Sequence, residues 1–211
     1  MQKKTLNYLI LISIILIGAA LRFSIISNYS LWNDELESLR ISSYSSISEM
    51  YEKAIIPDVH PPLYQILLYY VIHYLGNSEF LLRLPSAVAG ILSIYFIFLL
   101  GKRIFSDDVG ILSAAFTAFL LTPIYYSIEA RSYSMMLLLV IWQALLVLKI
   151  FELSENRQKY RSPFLLLFLL LLNSIALAYT HYFGLIFVVL SNIFLTILFI
   201  KQKKFFKYLT I

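Results

Sequence analysis

Two adjacent carboxylates follow the first apolar segment of the chain, in the sequence LWNDELE at 31–37. A carboxylate such as Asp34 beside an acceptor hydroxyl can act as a general base, because it removes the proton of a poor nucleophile as the attack proceeds. Glu35 lies next to it. A simpler interpretation is also open, since Asn33 can cap a helix and acids in a first helical turn suit the helix dipole.

Further polar clusters occur in DVHPPLY at 58–64, EFLLRLPS at 79–86, YYSIEARSY at 125–133 and THY at 180–182. An arginine side chain is planar and forked, which suits the oxygens of a phosphate group. We therefore take these clusters as candidate substrate-binding sites, with a donor phosphate as one ligand. The candidate residues are His60, Arg83, Glu129, Arg131, His181 and Tyr182.

Each of these residues also has a structural interpretation. His60 precedes two prolines and can simply end a loop, because the residue before a proline is extended. Arg83 can extend to lipid headgroups. Glu129 and Arg131 can form an ordinary interfacial ion pair, and His181 can be a polar residue of a turn.

The composition indicates a membrane protein. Of the 211 residues 60% are hydrophobic and 14% charged, and the mean hydropathy is +0.80. Ordinary globular chains have about 45–50% apolar and about 25% charged residues. The net charge of +5 does not indicate nucleic-acid binding, because the basic residues lie between apolar runs. The absence of cysteine excludes disulfides and thiol chemistry.

The apolar segments predict the topology. Six of them, 6–26, 84–100, 109–127, 133–151, 164–179 and 183–200, are expected to span the membrane. The segment 61–75 gives a helix of only roughly 22 Å against a hydrocarbon core of ~30 Å, so we expect it to lie along the interface. The external loop then covers 27–83.

The distribution of basic residues supports this topology. It places 12 of the 17 Lys and Arg residues on one side, as expected for cytoplasmic segments. These are Lys3, Lys4, Lys102, Arg103, Lys149, Arg157, Lys159, Arg161, Lys201, Lys203, Lys204 and Lys207. Both termini are then cytoplasmic, and all the polar clusters described above meet at the external face.

A reaction fits this arrangement. An acceptor hydroxyl, deprotonated by a carboxylate, attacks the anomeric carbon of a sugar whose leaving group is a polyprenyl phosphate. Positioned arginines stabilise the developing phosphate charge. A single displacement inverts the configuration of the sugar. The chain shows neither a βαβ pattern nor a Gly-rich phosphate loop, so a soluble nucleotide-sugar fold is not indicated.

The ordered set of motifs resembles the GT-C superfamily of polyprenyl-phosphate-sugar-dependent glycosyltransferases. The resemblance is to the protein O-mannosyltransferase and lipid A aminoarabinose transferase branch, including its bacterial members. It covers nearly the whole chain, through LWNDE at 31–35, HPPLY at 60–64, SEFLLRLPSA at 78–87, GKRIF at 101–105, YYSIEARSY at 125–133 and THYFG at 180–184.

The resemblance implies roles for individual residues. Asp34 matches the general base of the family, and Glu35 supports that base or the acceptor. His60 lines the site, and Glu129 and Arg131 lie near the donor phosphate. The arginine that enters the second spanning helix matches Arg83. Some relatives hold a divalent cation near the site, but the resemblance assigns it no ligands here, so the metal ligands are unknown.

The resemblance also bears on the size, the partners and the location of the protein. Relatives are usually longer, so we expect this chain to be the N-terminal part of a longer enzyme. The expected partners are a polyprenyl-phosphate sugar, a glycan, lipid or protein acceptor, and the bilayer of a bacterial or archaeal plasma membrane. A transporter or lipid flippase and a non-catalytic subunit of a glycosylation complex remain alternatives.

Overall fold

The computed structural model describes residues 2–58, 60–155 and 164–201. Helices connected by short loops make up this part of the chain, which contains no strand. The prediction of an all-α protein is therefore confirmed. The predicted cytoplasmic basic residues at 157–161 and 203–207 lie outside the described residues.

Serine side chains begin several of the helices. Ser46, Ser78 and Ser106 each accept a hydrogen bond from a backbone N–H in the first turn, which satisfies a donor that has no partner within the helix. A short π-helical turn, Tyr51–Ile55, follows α3. The helices are α1 Gln2–Ile25, α2 Asn33–Ser42, α3 Ile47–Met50, α4 Leu63–Tyr74, α5 Glu79–Ile104, α6 Asp107–Phe119, α7 Leu121–Ser127, α8 Tyr133–Glu155, α9 Phe164–Ala178 and α10 Tyr182–Lys201.

Four of the described helices are long and apolar enough to cross a membrane, namely Thr5–Ile25, Glu79–Ile104, Tyr133–Leu153 and Tyr182–Ile200. The bent pair of α6 and α7 makes up to five. The sequence predicts six spans. Its remaining segment, 164–179, forms the 15-residue apolar helix α9, which at about 1.5 Å per residue is shorter than the ~30 Å hydrocarbon core. The count of six stays a prediction.

Polar contacts define two ends of the helix bundle. At one end, Arg83 near the start of α5 donates to the Ile26 carbonyl that follows α1, and α2 lies against them; we call this the α2 end. At the other end, Lys102 of α5 pairs with Asp107 of α6 at 3.1 Å, and Arg103 pairs with Glu152 of α8. We call this the opposite end.

The predicted span 109–127 is broken at Leu120, which has extended backbone angles, and α7 turns away from α6 by 58°. Pro123 in the first turn of α7 has no N–H with which to continue the hydrogen bonding of α6. The sequence prediction treated this segment as one straight helix. The bend carries the end of α7 toward the start of α8, at the α2 end.

A buried arginine donates hydrogen bonds to carbonyl groups that have no helical donor because of the break between α6 and α7. Arg22 of α1 is 0% exposed and donates to the carbonyls of Thr117 and Ala118 at 2.9 and 3.1 Å. The last carbonyls of a helix have no partner within it, so an arginine here acts as a cap supplied by another helix. The structure thus gives Arg22, which lies inside the predicted span 6–26, a position between α1 and α6.

Small residues allow α5 and α6 to pack closely. A Cβ atom on Gly110 would lie 2.7 Å from the Phe98 carbonyl oxygen, so only glycine fits at that position. Ala114 and Ala118 continue the same face of α6 against Ile94. Close approach through small residues is a common way for helices to associate in membranes.

Polar side chains join the last three helices. Gln143 of α8 donates to the hydroxyls of Ser174 and Ser191 at 2.9 and 3.1 Å, and Asn173 donates to the Gln143 side-chain oxygen at 2.8 Å. Such interhelical hydrogen bonds hold membrane helices in a fixed arrangement. The polar residues at this depth therefore have structural partners.

Candidate active site

Glu35 is the anchor of helix α2. Its side chain is 1% exposed and accepts two hydrogen bonds from Arg83, at 2.8 Å from Nε and 2.7 Å from Nη2. The backbone N–H of Ala130 donates to the same carboxylate at 2.7 Å. Glu35 thus connects α2 with α5 and with the turn between α7 and α8.

Every N–H group of Arg83 donates within the protein, so none is left for a substrate. Glu35 accepts two of these hydrogen bonds, and backbone carbonyl oxygens accept the others. Its Nη1 donates to Ile26 and Tyr29, each at 2.8 Å, and its Nη2 donates to Ser30 at 3.3 Å. These carbonyls belong to the loop between α1 and α2. Arg83 therefore fixes the path of that loop and the position of the first turn of α2.

Asp34 faces away from this buried pair. Neighbouring residues on an α-helix point about 100° apart, so the anchoring of Glu35 directs Asp34 toward the surface. Its side chain is 44% exposed and its Oδ2 lies 3.6 Å from Nη2 of Arg131. Arg131 Nη1 also lies 3.5 Å from the Asp34 carbonyl oxygen. The two adjacent acids consequently have different environments.

A chain of hydrogen bonds holds the backbone of Arg131. The Ser86 hydroxyl of α5 donates to the Arg131 carbonyl at 2.9 Å and contacts the buried Tyr64 hydroxyl of α4 at 2.7 Å. The guanidinium lies 5.9 Å from the centre of the Tyr133 ring, within cation–π range. Arg131 is therefore positioned by α4, α5 and α8 together, while its fork stays accessible.

Glu129 is a buried carboxyl group between these residues. Its side chain is 4% exposed, and neither oxygen has a hydrogen-bond partner of good geometry in the described part of the chain. Burial raises the pKa of Glu129, and the Tyr125 hydroxyl opposes this shift. The charges of Glu35 and Asp34 raise the pKa further. Glu129 is thus more readily protonated than an exposed glutamate.

We expect the Glu129→Gln variant to be more stable than the unaltered protein at neutral pH. Because the folded pKa lies above the unfolded value of 4.5, the folded state binds more protons above pH 4.5, and the free energy of unfolding falls as the pH rises through this window. The neutral amide removes this dependence. Unfolding followed by circular dichroism at several pH values measures the pH dependence of the free energy of unfolding. Glu52→Gln is the control, because Glu52 is exposed. An unchanged pH slope in Glu129→Gln would contradict this account.

A polar cavity of about 250 Å³ opens beside Arg131 at the α2 end. Residues from α2, the loop before α4, the turn before α8 and the turn between α9 and α10 line it. The sequence-predicted residues among them are His60, Arg131, His181 and Tyr182. Asp34 is not part of the lining and is connected to the cavity through its contact with Arg131.

The two histidines of the cavity differ in their partners. His60 is exposed, and its Nδ1 lies 2.8 Å from Oδ1 of Asp58. Burial lowers the pKa of His181, and His60 and Arg131 lower it further. The Phe183 N–H donates to Nδ1 of His181 at 3.2 Å, which leaves its Nε2 as the protonated nitrogen of a neutral ring. His181 can therefore donate one hydrogen bond to a ligand.

The structure brings all eight predicted residues to the α2 end, in two groups. Asp34 contacts Arg131, whereas Arg83 pairs with Glu35, so Asp34 and Arg83 belong to different groups. Asp58, Ser86 and the Ala130 backbone are contributors that the prediction did not assign. Asp58 stands two residues before His60, and that spacing was the available signal.

The described residues contain no group of three or more His, Asp or Glu side chains that could hold a metal ion. Glu35 accepts several hydrogen bonds already, and Asp34 is paired with Arg131. The divalent cation of some relatives therefore has no fitting ligand set among these side chains.

Comparison with known proteins gives one family match. A family model described as dolichyl-phosphate-mannose-protein mannosyltransferase matches residues 59–211. The matched region contains His60, Arg83, Glu129, Arg131 and His181 and begins after Asp34 and Glu35. No curated protein and no solved structure matches the chain.

Proposed function

Because the chain belongs to the dolichyl-phosphate-mannose-protein mannosyltransferase family, we propose that it transfers a sugar from a polyprenyl phosphate to an acceptor hydroxyl. The family and the apolar helices make it a membrane glycosyltransferase of the GT-C type. The lipid tail of the donor stays in the bilayer, and the sugar is presented at the α2 end. We assign this end to the external face of a bacterial or archaeal plasma membrane, with both termini cytoplasmic.

One observation carries the proposal. Asp34 and Arg131 come from segments 97 residues apart, their charged groups lie 3.6 Å apart, and Arg131 lines a polar cavity. A carboxylate for a proton and a guanidinium for a phosphate are the two groups that the reaction needs. Ionisable groups gathered at the ends of membrane helices are costly and usually functional.

The reaction is a single displacement. The acceptor oxygen attacks the anomeric carbon while Asp34 takes its proton, and the bond from that carbon to the phosphate oxygen breaks. The polyprenyl phosphate leaves with the electron pair, and Arg131 stabilises its charge. When the donor phosphate takes the guanidinium fork, Asp34 loses its ion-pair partner and is available as the base. The configuration at the anomeric carbon is inverted.

The other site residues fall into two roles. Glu35 and Arg83 position α2, since their polar atoms are used within the protein. His60, His181 and Tyr182 line the cavity and offer hydrogen bonds to the hydroxyls of a sugar or an acceptor. Glu129, buried in the same turn as Arg131, can hold a proton close to the reacting groups.

The Arg131→Ala variant tests the proposal. We expect its KM for the donor to rise roughly tenfold to a hundredfold, the value of a lost charge-assisted hydrogen bond, while its KM for the acceptor changes little. Membranes containing the protein are incubated with radiolabelled dolichyl-phosphate mannose, and loss of the labelled donor is followed by chromatography.

Arg40→Ala is the matched control, because Arg40 is exposed and forms its ion pair with Glu37 of its own helix. A rise in the acceptor KM with an unchanged donor KM would argue against phosphate binding at Arg131. Donor consumption equal to that of membranes without the protein would argue against the proposed function as a whole.

The family match does not favour the transporter or flippase alternative. That function commonly depends on charged or unwound segments at mid-membrane depth. Gln143 and Asn173, the two amide side chains within α8 and α9, form the helix–helix contacts described above, and Arg22 caps the end of α6 at the break.

A further inference from the structure

One ring nitrogen of His181 is used within the protein, and the other is left for a ligand. His181 immediately precedes α10, and the Phe183 N–H in the first turn of that helix donates to its Nδ1 at 3.2 Å. An imidazole that accepts at Nδ1 carries its proton on Nε2 when it is neutral. The described part of the chain provides no hydrogen-bond partner for Nε2. His181 therefore offers one hydrogen-bond donor at the cavity that it lines.

Neighbouring rings hold the imidazole in place. It stacks on Phe183, with 5.3 Å between the ring centroids and 18° between the planes. It also contacts Tyr133, with 5.7 Å between the centroids. The guanidinium of Arg131 lies 5.9 Å from the centre of the same Tyr133 ring. His181 and Arg131 are therefore neighbours of one ring, and all three side chains line the polar cavity.

The size and the chemistry of the cavity indicate which part of a substrate enters it. Its volume is about 250 Å³, whereas drug-sized ligands occupy pockets of about 300–1,000 Å³. One monosaccharide suits this space, since its hydroxyls match the polar side chains and its C–H groups match the Tyr133 ring. In the reaction proposed above, the donor phosphate takes the Arg131 guanidinium, and the sugar is bonded directly to that phosphate. The sugar then lies next to Tyr133 and within reach of His181.

The acceptor is the other candidate for this space, and the position of Asp34 argues against it. Asp34 contacts Arg131 but does not line the cavity. An acceptor hydroxyl must lie within hydrogen-bond reach of the base that deprotonates it. The acceptor therefore approaches from the Asp34 side, which leaves the cavity for the sugar of the donor.

We propose, building on the proposed function, that the cavity beside Tyr133 is the subsite for the donor sugar and that the Nε2–H group of His181 donates a hydrogen bond to one of its hydroxyls. A sugar that places no hydroxyl at this position loses the bond. His181 thus contributes to the choice of sugar, whereas Arg131 binds the phosphate that every donor of this class carries.

Two ligands that differ by the sugar separate these contributions. Protein in detergent is titrated with dolichyl-phosphate mannose and with dolichyl phosphate, and the bound fraction is counted by native mass spectrometry. We expect His181→Asn to bind dolichyl-phosphate mannose roughly threefold to tenfold more weakly, the effect of one lost hydrogen bond, and to bind dolichyl phosphate as the unaltered protein does. Asparagine is favoured before a helix and can still accept the Phe183 N–H, but it has no donor at the Nε2 position.

His73→Asn is the matched control. His73 is an exposed histidine of α4 and does not line the cavity. This variant should bind both ligands as the unaltered protein does.

Glutamine at position 181 separates binding from folding. Its side chain can place an N–H donor near the position of Nε2, but glutamine is not among the residues favoured before a helix. His181→Gln should therefore recover most of the binding of dolichyl-phosphate mannose, while its unfolding temperature falls below that of His181→Asn. Weaker binding by His181→Gln than by His181→Asn would overturn the proposal, because His181 would then act only on the fold.

The binding titrations also distinguish this proposal from the proposed function. Equal weakening of both ligands in His181→Asn would place the side chain at the phosphate, and unchanged binding of both would remove it from the site. Either result would overturn the sugar subsite and leave the proposed function standing, provided that the unaltered protein binds both ligands and consumes the labelled donor. Binding of neither ligand by the unaltered protein would contradict both.

Discussion

Replacement of Asp34 by asparagine is expected to lower sugar transfer at least about a hundredfold, and up to about ten-thousandfold, the usual contribution of a general base. Asparagine keeps the shape of the side chain and cannot accept the proton. Folding should change little, because Asp34 is 44% exposed and its ion pair with Arg131 is long. Pairs of this kind contribute about 1 kcal/mol or less to stability.

The control for Asp34→Asn is Glu52→Gln. This variant removes one negative charge from the exposed π-helical turn at the same end of the protein. Transfer is measured with the labelled donor in membranes that contain equal amounts of each variant. Near-normal transfer by Asp34→Asn would exclude Asp34 as the base. Loss of the variant from the membrane would instead give Asp34 a structural role, contrary to its exposure.

Glu35→Gln is expected to have the largest effect on stability of the changes considered, a loss of about 3–5 kcal/mol, because it leaves the Arg83 charge buried without its partner. The Glu35–Arg83 pair is almost completely buried, and Glu35 also accepts the Ala130 N–H. The pair Glu37–Arg40 on the same helix provides the matched control. It is exposed, so Glu37→Gln should change stability by less than about 1 kcal/mol.

Denaturant unfolding in detergent, followed by circular dichroism, measures both losses. A double-mutant cycle with Glu35→Gln and Arg83→Met isolates the interaction between the two side chains. If Glu35→Gln kept its stability and lost only transfer, Glu35 would belong to the chemistry and not to the support of α2. The cycle thus distinguishes the positioning role from a catalytic one.

The sequence pattern indicated candidate site residues but could not separate the two neighbouring acids. Asp34 and Glu35 are adjacent, and which of them faces inward depends on where α2 begins and on the partner that meets it. That partner, Arg83, comes from a segment 48 residues away. A pattern of residues along the chain carries no information about a pairing at that distance, so both acids were taken as catalytic.

The burial of Glu129 was equally inaccessible to sequence analysis. The simpler interpretation paired Glu129 with Arg131, two residues away, but Arg131 lies against Asp34, and neither Glu129 oxygen has a hydrogen-bond partner of good geometry among the described residues. The break of α6 did have a local signal, since Pro123 lies inside the predicted span 109–127. The composition and the apolar segments were sufficient for the all-helical membrane class, because these depend on local properties of the chain.

The capping of α6 by Arg22 has a consequence for the biogenesis of the protein. The guanidinium is stable in the apolar interior only when the Thr117 and Ala118 carbonyls are present to receive it. Those carbonyls are synthesised about 95 residues later, so we expect Arg22 to remain at the lipid–water interface during translation. On this account the first helix reaches its final depth only after α6 has entered the bilayer.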